Sequence, residues 1–358
     1  MIIDRYIIRE IIKPTLAIST VLIVIFGCYI STRYGEDAVH GMLSGSSVIQ
    51  LILLRIVIAL EMLLPTTLYL SVVIALGRLY RDAELTAMFA CGINMTRVIK
   101  SVFLISMIGA LVVACLSLFI RPWAWNQFFR IKTQAEANFD LTRMKGGNFY
   151  ETNDGERVIF ADKVDNKKNR AKRVFIQTKR EDSLQIIYAT KASQLRDETT
   201  GKPILIFQNG HLYEFFSPSE NGLILEFENS AMDLAPKDVI QHEYKVKAVA
   251  TKTLLHSNDL EEIAELQWRL TAPLSIILLA LLGIPLSRSS PRQGKYTKAP
   301  LAILFFAGYY TFSALTKKWV SQGVIGVIPG IWWGQILLAA LIGLLLWQPV
   351  FLRHWRKR

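Results

Sequence analysis

The chain is poor in the residues from which enzyme sites are built. It has 3 cysteines and 5 histidines in 358 residues. Cys28, Cys91 and Cys115 form no C-x-x-C, and the first and last fall in apolar runs, so no extracellular disulfide framework is offered. His40, His211, His242, His256 and His354 are scattered, with no H-E-x-x-H and none inside an apolar run. That leaves no support for an intramembrane serine–histidine site, and the lack of a mid-run aspartate argues against an aspartyl protease. Ser46 and Ser47, near His40, read as loop polar groups. No G-x-x-x-x-G-K-[ST] occurs, because TGKP at 200–203 and QGKYT at 293–297 lack the spacing. The sequence therefore predicts neither a phosphate-cradling loop nor a catalytic constellation.

Apolar residues dominate instead. They make up 52% of the chain, and the mean hydropathy is +0.31, too apolar for a soluble domain of this size. The formal net charge is +12. A basic balance often points to nucleic acid, but many of these cations flank apolar runs, as membrane topology requires. They also suit an anionic lipid.

Residues 1–13, MIIDRYIIREIIK, spread their charges and precede no small-residue cleavage site, so an interfacial helix is expected rather than a signal peptide. Expected spans follow at 14–32, 48–79 and 101–120. Arg55 and Glu61 lie at membrane depth in the second span, and Pro65 is expected to kink it. Residues 123–262 change character. Eight strand-length runs appear, at 148–152, 157–164, 173–179, 184–190, 204–208, 211–216, 223–229 and 244–251. Turn signals separate them: NDG at 153–155, TTGK at 199–202, NG at 209–210 and SENG at 219–222. A sandwich, jelly roll or barrel of eight or more strands is expected. A helix capped by Ser257 or Asn258 then leads to spans at about 266–286, 299–316 and within 328–352.

The lysine and arginine asymmetry puts both termini inside, giving six spans with the β domain outside. The expected fold is an α-helical membrane protein with six transmembrane helices and an all-β, jelly-roll-like periplasmic domain between helices 3 and 4. Its parts are residues 1–122, 123–262 and 263–358.

One stretch stands apart. Residues 77–100, GRLYRDAELTAMFACGINMTRVIK, are basic and lie between two apolar runs. Leu85, Met88 and Phe89 recur at i, i+3, i+4, which predicts a short amphipathic helix at about 81–92, ended by Gly92 in a left-handed cap. It would offer one acid, Glu84, and an apolar face to something in the cytosol. The alternative is a tight turn resting on the membrane surface. At the opposite boundary, Arg33, Lys317 and Lys318 lie near outer span ends, where lipid phosphates would sit. Phe26 and Tyr29 on span one could face acyl chains, bulk lipid or a partner helix.

The stretches GRLYRDAELTAMFACGIN at 77–94, AELQWRLTAPL at 264–274 and IPLSRSSPRQGKY at 284–296 resemble the lipopolysaccharide export permeases of the LptF/LptG family. The opening MIIDRYIIRE looks more like the LptF half of that family than the LptG half. The resemblance implies a heterodimer with an LptG-like paralogue on a dimer of an LptB-like ATPase. It also implies an LptC-like single-span protein and an LptA-like periplasmic bridge that receives lipopolysaccharide. No cofactor is expected in this chain, since ATP and magnesium would be bound by the ATPase. By position, Glu84 matches the family's coupling-helix acid and Arg33 its basic contact to substrate. Two other classes stay open on residues alone: a membrane-anchored periplasmic scaffold, or a transporter subunit exporting a different lipid or lipoprotein.

Overall fold

A computed structural model describes residues 2–39, 45–137, 146–151, 157–165, 170–179, 183–196, 203–216, 222–233, 246–288 and 299–355. The turns expected at 153–155 and 199–202 and most of the basic stretch at 287–298 lie outside them. The chain divides into two units. One comprises Met1–Ile30, Leu53–Gln127 and Gln241–Arg358, and the other Ser31–Ile52 with Phe128–Ile240.

The first unit is helical. Its elements belong to α1 (Ile2–Val39), α2 (Gly45–Arg81), α3 (Glu84–Ala90), α4 (Met95–Cys115), α5 (Arg121–Ala137), α6 (Thr251–Leu254), α7 (Leu260–Leu286), α8 (Ala299–Ser321) and α9 (Trp332–Trp355). Among the described residues, four helices are long and apolar enough to cross a membrane: Ile2–Gly35, Gly45–Arg81, Met95–Lys132 and Leu260–Leu286. The apolar part of α9 described in full, Trp332–Leu346, is shorter. The outward residues explain why water is the wrong solvent for this unit. Val21, Val24 and Ile25 of α1 and Ile108 and Leu111 of α4 are all more than half exposed, apolar surface that suits lipid. The inward residues form a core in which Ile7, Ile11, Val72, Leu76, Leu79, Val102, Ile276 and Ile284 meet. A second cluster joins Tyr69 and Val73 of α2 with Leu279, Ala302, Leu338 and Ile342.

Span three was expected to close at Arg121–Pro122, yet the helix runs on to Ala137. It does so through a π-helical stretch, Leu116–Ile120. Proline has no N–H, so the carbonyl four residues back loses its partner and the wider turn relieves the ring's clash. That carbonyl, Leu118 O, accepts a hydrogen bond from Thr251 Oγ1 at 2.6 Å.

The second unit carries the sheet. Six strands follow one another as an antiparallel meander: β1 (Phe149–Glu151), β2 (Arg157–Asp165), β3 (Arg170–Lys179), β4 (Ser183–Arg196), β5 (Pro203–Phe216) and β6 (Gly222–Asp233). Among the described residues, the eight strand-length runs become six strands for two reasons. Residues 204–208 and 211–216 are one strand, and 246–248 form a helical turn, not an extended run.

The Asn209–Gly210 pair is therefore not a hairpin turn. It lies on a crease that crosses the sheet. The β2–β3, β3–β4, β4–β5 and β5–β6 ladders each skip the row holding Asp162, Arg173, Thr190 and Asn209. Arg173 and Asn209 have positive φ, 50° and 52°. The inward alternation shifts by one residue at that row: Val174 and Ile176 are buried before it and Ala171 beyond it, as are Ile187 and Ala189, then Ala192. An extra residue at the same level in each of β2 to β6 keeps register while bending the sheet. Thr190 donates to the Asn209 carbonyl at 3.0 Å, and Arg173 pairs with Asp162. A Cβ on Gly210 would lie 2.3 Å from Tyr188 O, so only glycine fits there.

Candidate functional site

The short helix between α2 and α4 forms as its sequence predicts, over a narrower range, Glu84–Ala90. Ala83 enters it at φ 58° with no side-chain cap. It ends in a Schellman arrangement: Ile93 N–H donates to Met88 O, Gly92 N–H to Phe89 O, and Gly92 takes φ 86°. Its apolar face is not presented outward. Leu85 is fully buried in the core formed by Ile7, Ile11, Leu79, Val98 and Val102, and Met88 and Phe89 pack against the same core. The residues left in solvent are small: Thr86, Ala87, Ala90 and Cys91.

Glu84 is half-buried, and its Oε2 accepts the Tyr6 hydroxyl at 2.6 Å. Ion pairs flank that contact along α1. Asp4 receives both Arg97 Nε and Nη2 at 3.1 Å. Glu10 receives Arg78 Nη2 at 2.6 Å and Lys13 Nζ at 3.0 Å.

A second polar cluster lies farther along the bundle, and of its charged members sequence reasoning assigned a role to Lys317 alone. Glu61, at membrane depth on α2, accepts from Arg121 Nε at 3.1 Å and from Ser117 at 2.9 Å. Glu265 binds three cations: Arg121 at 3.1 Å, Arg269 at 3.1 Å and Lys317 at 2.5 Å. Arg269 is wholly buried, and its guanidinium also donates to Val249 O and Thr251 Oγ1 at 2.9 Å and to Lys247 O at 3.0 Å. These bonds explain why 246–248 curls: the backbone wraps a buried cation that needs carbonyl partners. The readable signal was the i, i+4 spacing of Glu265 and Arg269 within AELQWRLTAPL.

The basic residues expected to meet phosphate separate. Lys317 joins the buried cluster and lies 5.1 Å over the Trp268 ring, while Lys318 is exposed on α8. Arg33 is exposed on α1, Tyr29 is exposed, and Phe26 is half-buried. Arg55 lies over the Trp125 ring at 4.8 Å.

Residues 5–348 match the model of the family described as lipopolysaccharide export system permease LptF/LptG. The chain is 28% identical to the lipopolysaccharide export system permease protein LptF of Escherichia coli strain K12, over 99% of this chain and 98% of that protein. The LptF proteins of Escherichia coli O157:H7 and Shigella flexneri match to the same extent. A family match over nearly the whole length joins the apolar helices, the inserted sheet and the short capped helix in one conclusion: this chain is a multi-pass membrane protein that belongs to the LptF/LptG family of lipopolysaccharide export permeases.

Proposed function

We propose that the chain is the transmembrane subunit of an ABC transporter that draws lipopolysaccharide from the outer leaflet of the inner membrane and passes it to a periplasmic β-jelly-roll bridge. In this reading six helices span the membrane, both termini are cytosolic, and the sheet unit is periplasmic. The chain pairs with an LptG-like paralogue on an LptB-like ATPase dimer, which binds the ATP and magnesium. An LptC-like protein and an LptA-like bridge take the lipid onward.

The burial of Leu85 carries this reading. A surface helix that only touched a partner could move alone. This one inserts Leu85 into the core shared by α1, α2, α4 and α7, so a push on α3 displaces packed side chains in all four. Glu84 engages a cation of the ATPase, while Leu85, Met88 and Phe89 transmit the displacement. At the other boundary, Arg33, Lys317 and Lys318 meet the lipid phosphates, and Phe26 and Tyr29 meet its acyl chains. Lys317 arrives already paired with Glu265, so a phosphate would compete with or share that carboxylate.

Glu84→Arg in the assembled complex tests the coupling. The expected result is loss of ATPase recruitment and of lipid release; normal values for both overturn it. Arg33→Glu is expected to reduce photocrosslinking to lipopolysaccharide, and wild-type crosslinking removes Arg33 from the substrate path.

A further inference from the structure

The acid on α3 is not held by α3. Its helix has no side-chain N-cap, and the residue before it takes a left-handed conformation. What fixes the carboxylate is Tyr6, 78 positions away in sequence, at 2.6 Å. Tyr6 in turn sits on a segment anchored on both sides, by Asp4 to Arg97 and by Glu10 to Arg78. Ile7 and Ile11 of that segment are fully buried in the same core as Leu85. The residues at 4, 6, 7, 10 and 11 share one helical face, and that whole face is spent on the elements that flank α3.

We infer that the N-terminal turns of α1 are a clamp for the coupling element, with Tyr6 the positioning residue that presets the Glu84 carboxylate for a cationic side chain on the ATPase. The inference rests on the proposed role of Glu84. The hydroxyl occupies Oε2 and leaves Oε1 able to accept from an incoming cation, because a carboxylate has about four acceptor sites. A free glutamate loses rotamer freedom when a partner pins it; one already held by Tyr6 has lost it on folding. The phenol therefore raises affinity without touching the partner.

The test uses the full permease complex, stripped of its ATPase and titrated with the purified ATPase, for wild type, Tyr6→Phe, Glu84→Ala and the double variant. Tyr6→Phe keeps the ring and removes only the hydroxyl. The expected result is about three- to tenfold weaker binding for Tyr6→Phe, a larger loss for Glu84→Ala, and no further loss in the double variant. A thermal melt of each permease shows whether the fold is intact; Arg97→Ala, which loosens the clamp without touching Tyr6 or Glu84, is expected to weaken binding less than Tyr6→Phe. Unchanged affinity in Tyr6→Phe with a loss in Glu84→Ala overturns the inference and leaves the coupling role standing. Losses that multiply in the double variant also overturn it, since Tyr6 would then act through packing. No loss in Glu84→Ala removes the coupling role and the inference together.

Discussion

Among its described residues, the helical unit has two sets of ion pairs, and they are built on opposite plans. Roughly 25 Å of helix separates Arg78 from Glu61 on α2. At the Arg78 end the cations are half in solvent: the Arg78 and Arg97 side chains keep 41% and 42% of their exposure, against 9% for Glu10 and 30% for Asp4. At the Glu61 end they are sealed: Arg121 and Glu61 each keep 9%, and Arg269 and Glu265 keep 0% and 2%. Water screens the first set, so each pair is weak and can be exchanged for a partner's side chain. Burial makes the second set costly to form and costlier to leave half-made. The first set leaves its cations open to exchange with other side chains, and the second fixes where α2, α5, α7 and α8 meet.

The largest effect is expected from removing one member of the sealed set. Glu265→Ala leaves Arg121, Arg269 and Lys317 without their shared carboxylate, and a loss of about 3–5 kcal/mol is expected. Unfolding in detergent or by steric trapping measures it; a loss below about 1 kcal/mol would erase the contrast between the ends. Next comes Leu85→Ala, expected to cost about 2–4 kcal/mol by cavity formation. Because Leu85 belongs to the open end, this variant shows whether that end is anchored by packing rather than by charge. Arg78→Ala is expected to cost less than about 1 kcal/mol, and less still at 0.5 M salt. A salt-insensitive loss as large as that of Glu265→Ala would mean that the open pairs are effectively buried.

The smallest effect concerns the exposed pair on the sheet. Arg173 holds the Asp162 carboxyl below its ordinary value. A depressed folded-state value stabilises the fold above the ordinary carboxylate range, and the contribution fades as pH falls through the folded value. Protection of the β2–β3 amides, taken relative to the slower intrinsic exchange at each pH, should fall on acidification in the wild type and lose that component in Asp162→Asn.

Much of this was readable in advance. The apolar runs, the inserted β region and the capped helix near Glu84 follow from composition and spacing, because each is a local preference repeated over many residues. The sealed cluster was not readable as a unit. Glu61 was visible as an ionisable group at membrane depth, but its partner Arg121 read as a span-ending residue. Local rules place a stop at Arg–Pro; a π turn and a distant Thr251 hydroxyl satisfy the freed carbonyl and carry the helix through. Asn209–Gly210 misled in a similar way. The pair reads as a turn between strands, but Asn209 takes its positive φ inside one strand, and only the neighbouring strands decide whether positive φ makes a hairpin or a crease.

The sequence alone determined that this chain belongs in a membrane, that a β unit interrupts its helices, and that a short acidic helix lies between two of them, since hydropathy and turn chemistry act over neighbouring residues. The tertiary structure decided that Leu85 points inward, that Tyr6 holds Glu84, and that five charged side chains from α2, α5, α7 and α8 share one buried site. Those outcomes depend on which distant groups can pay the desolvation of a charge or fill a core, and adjacency in sequence carries no record of that.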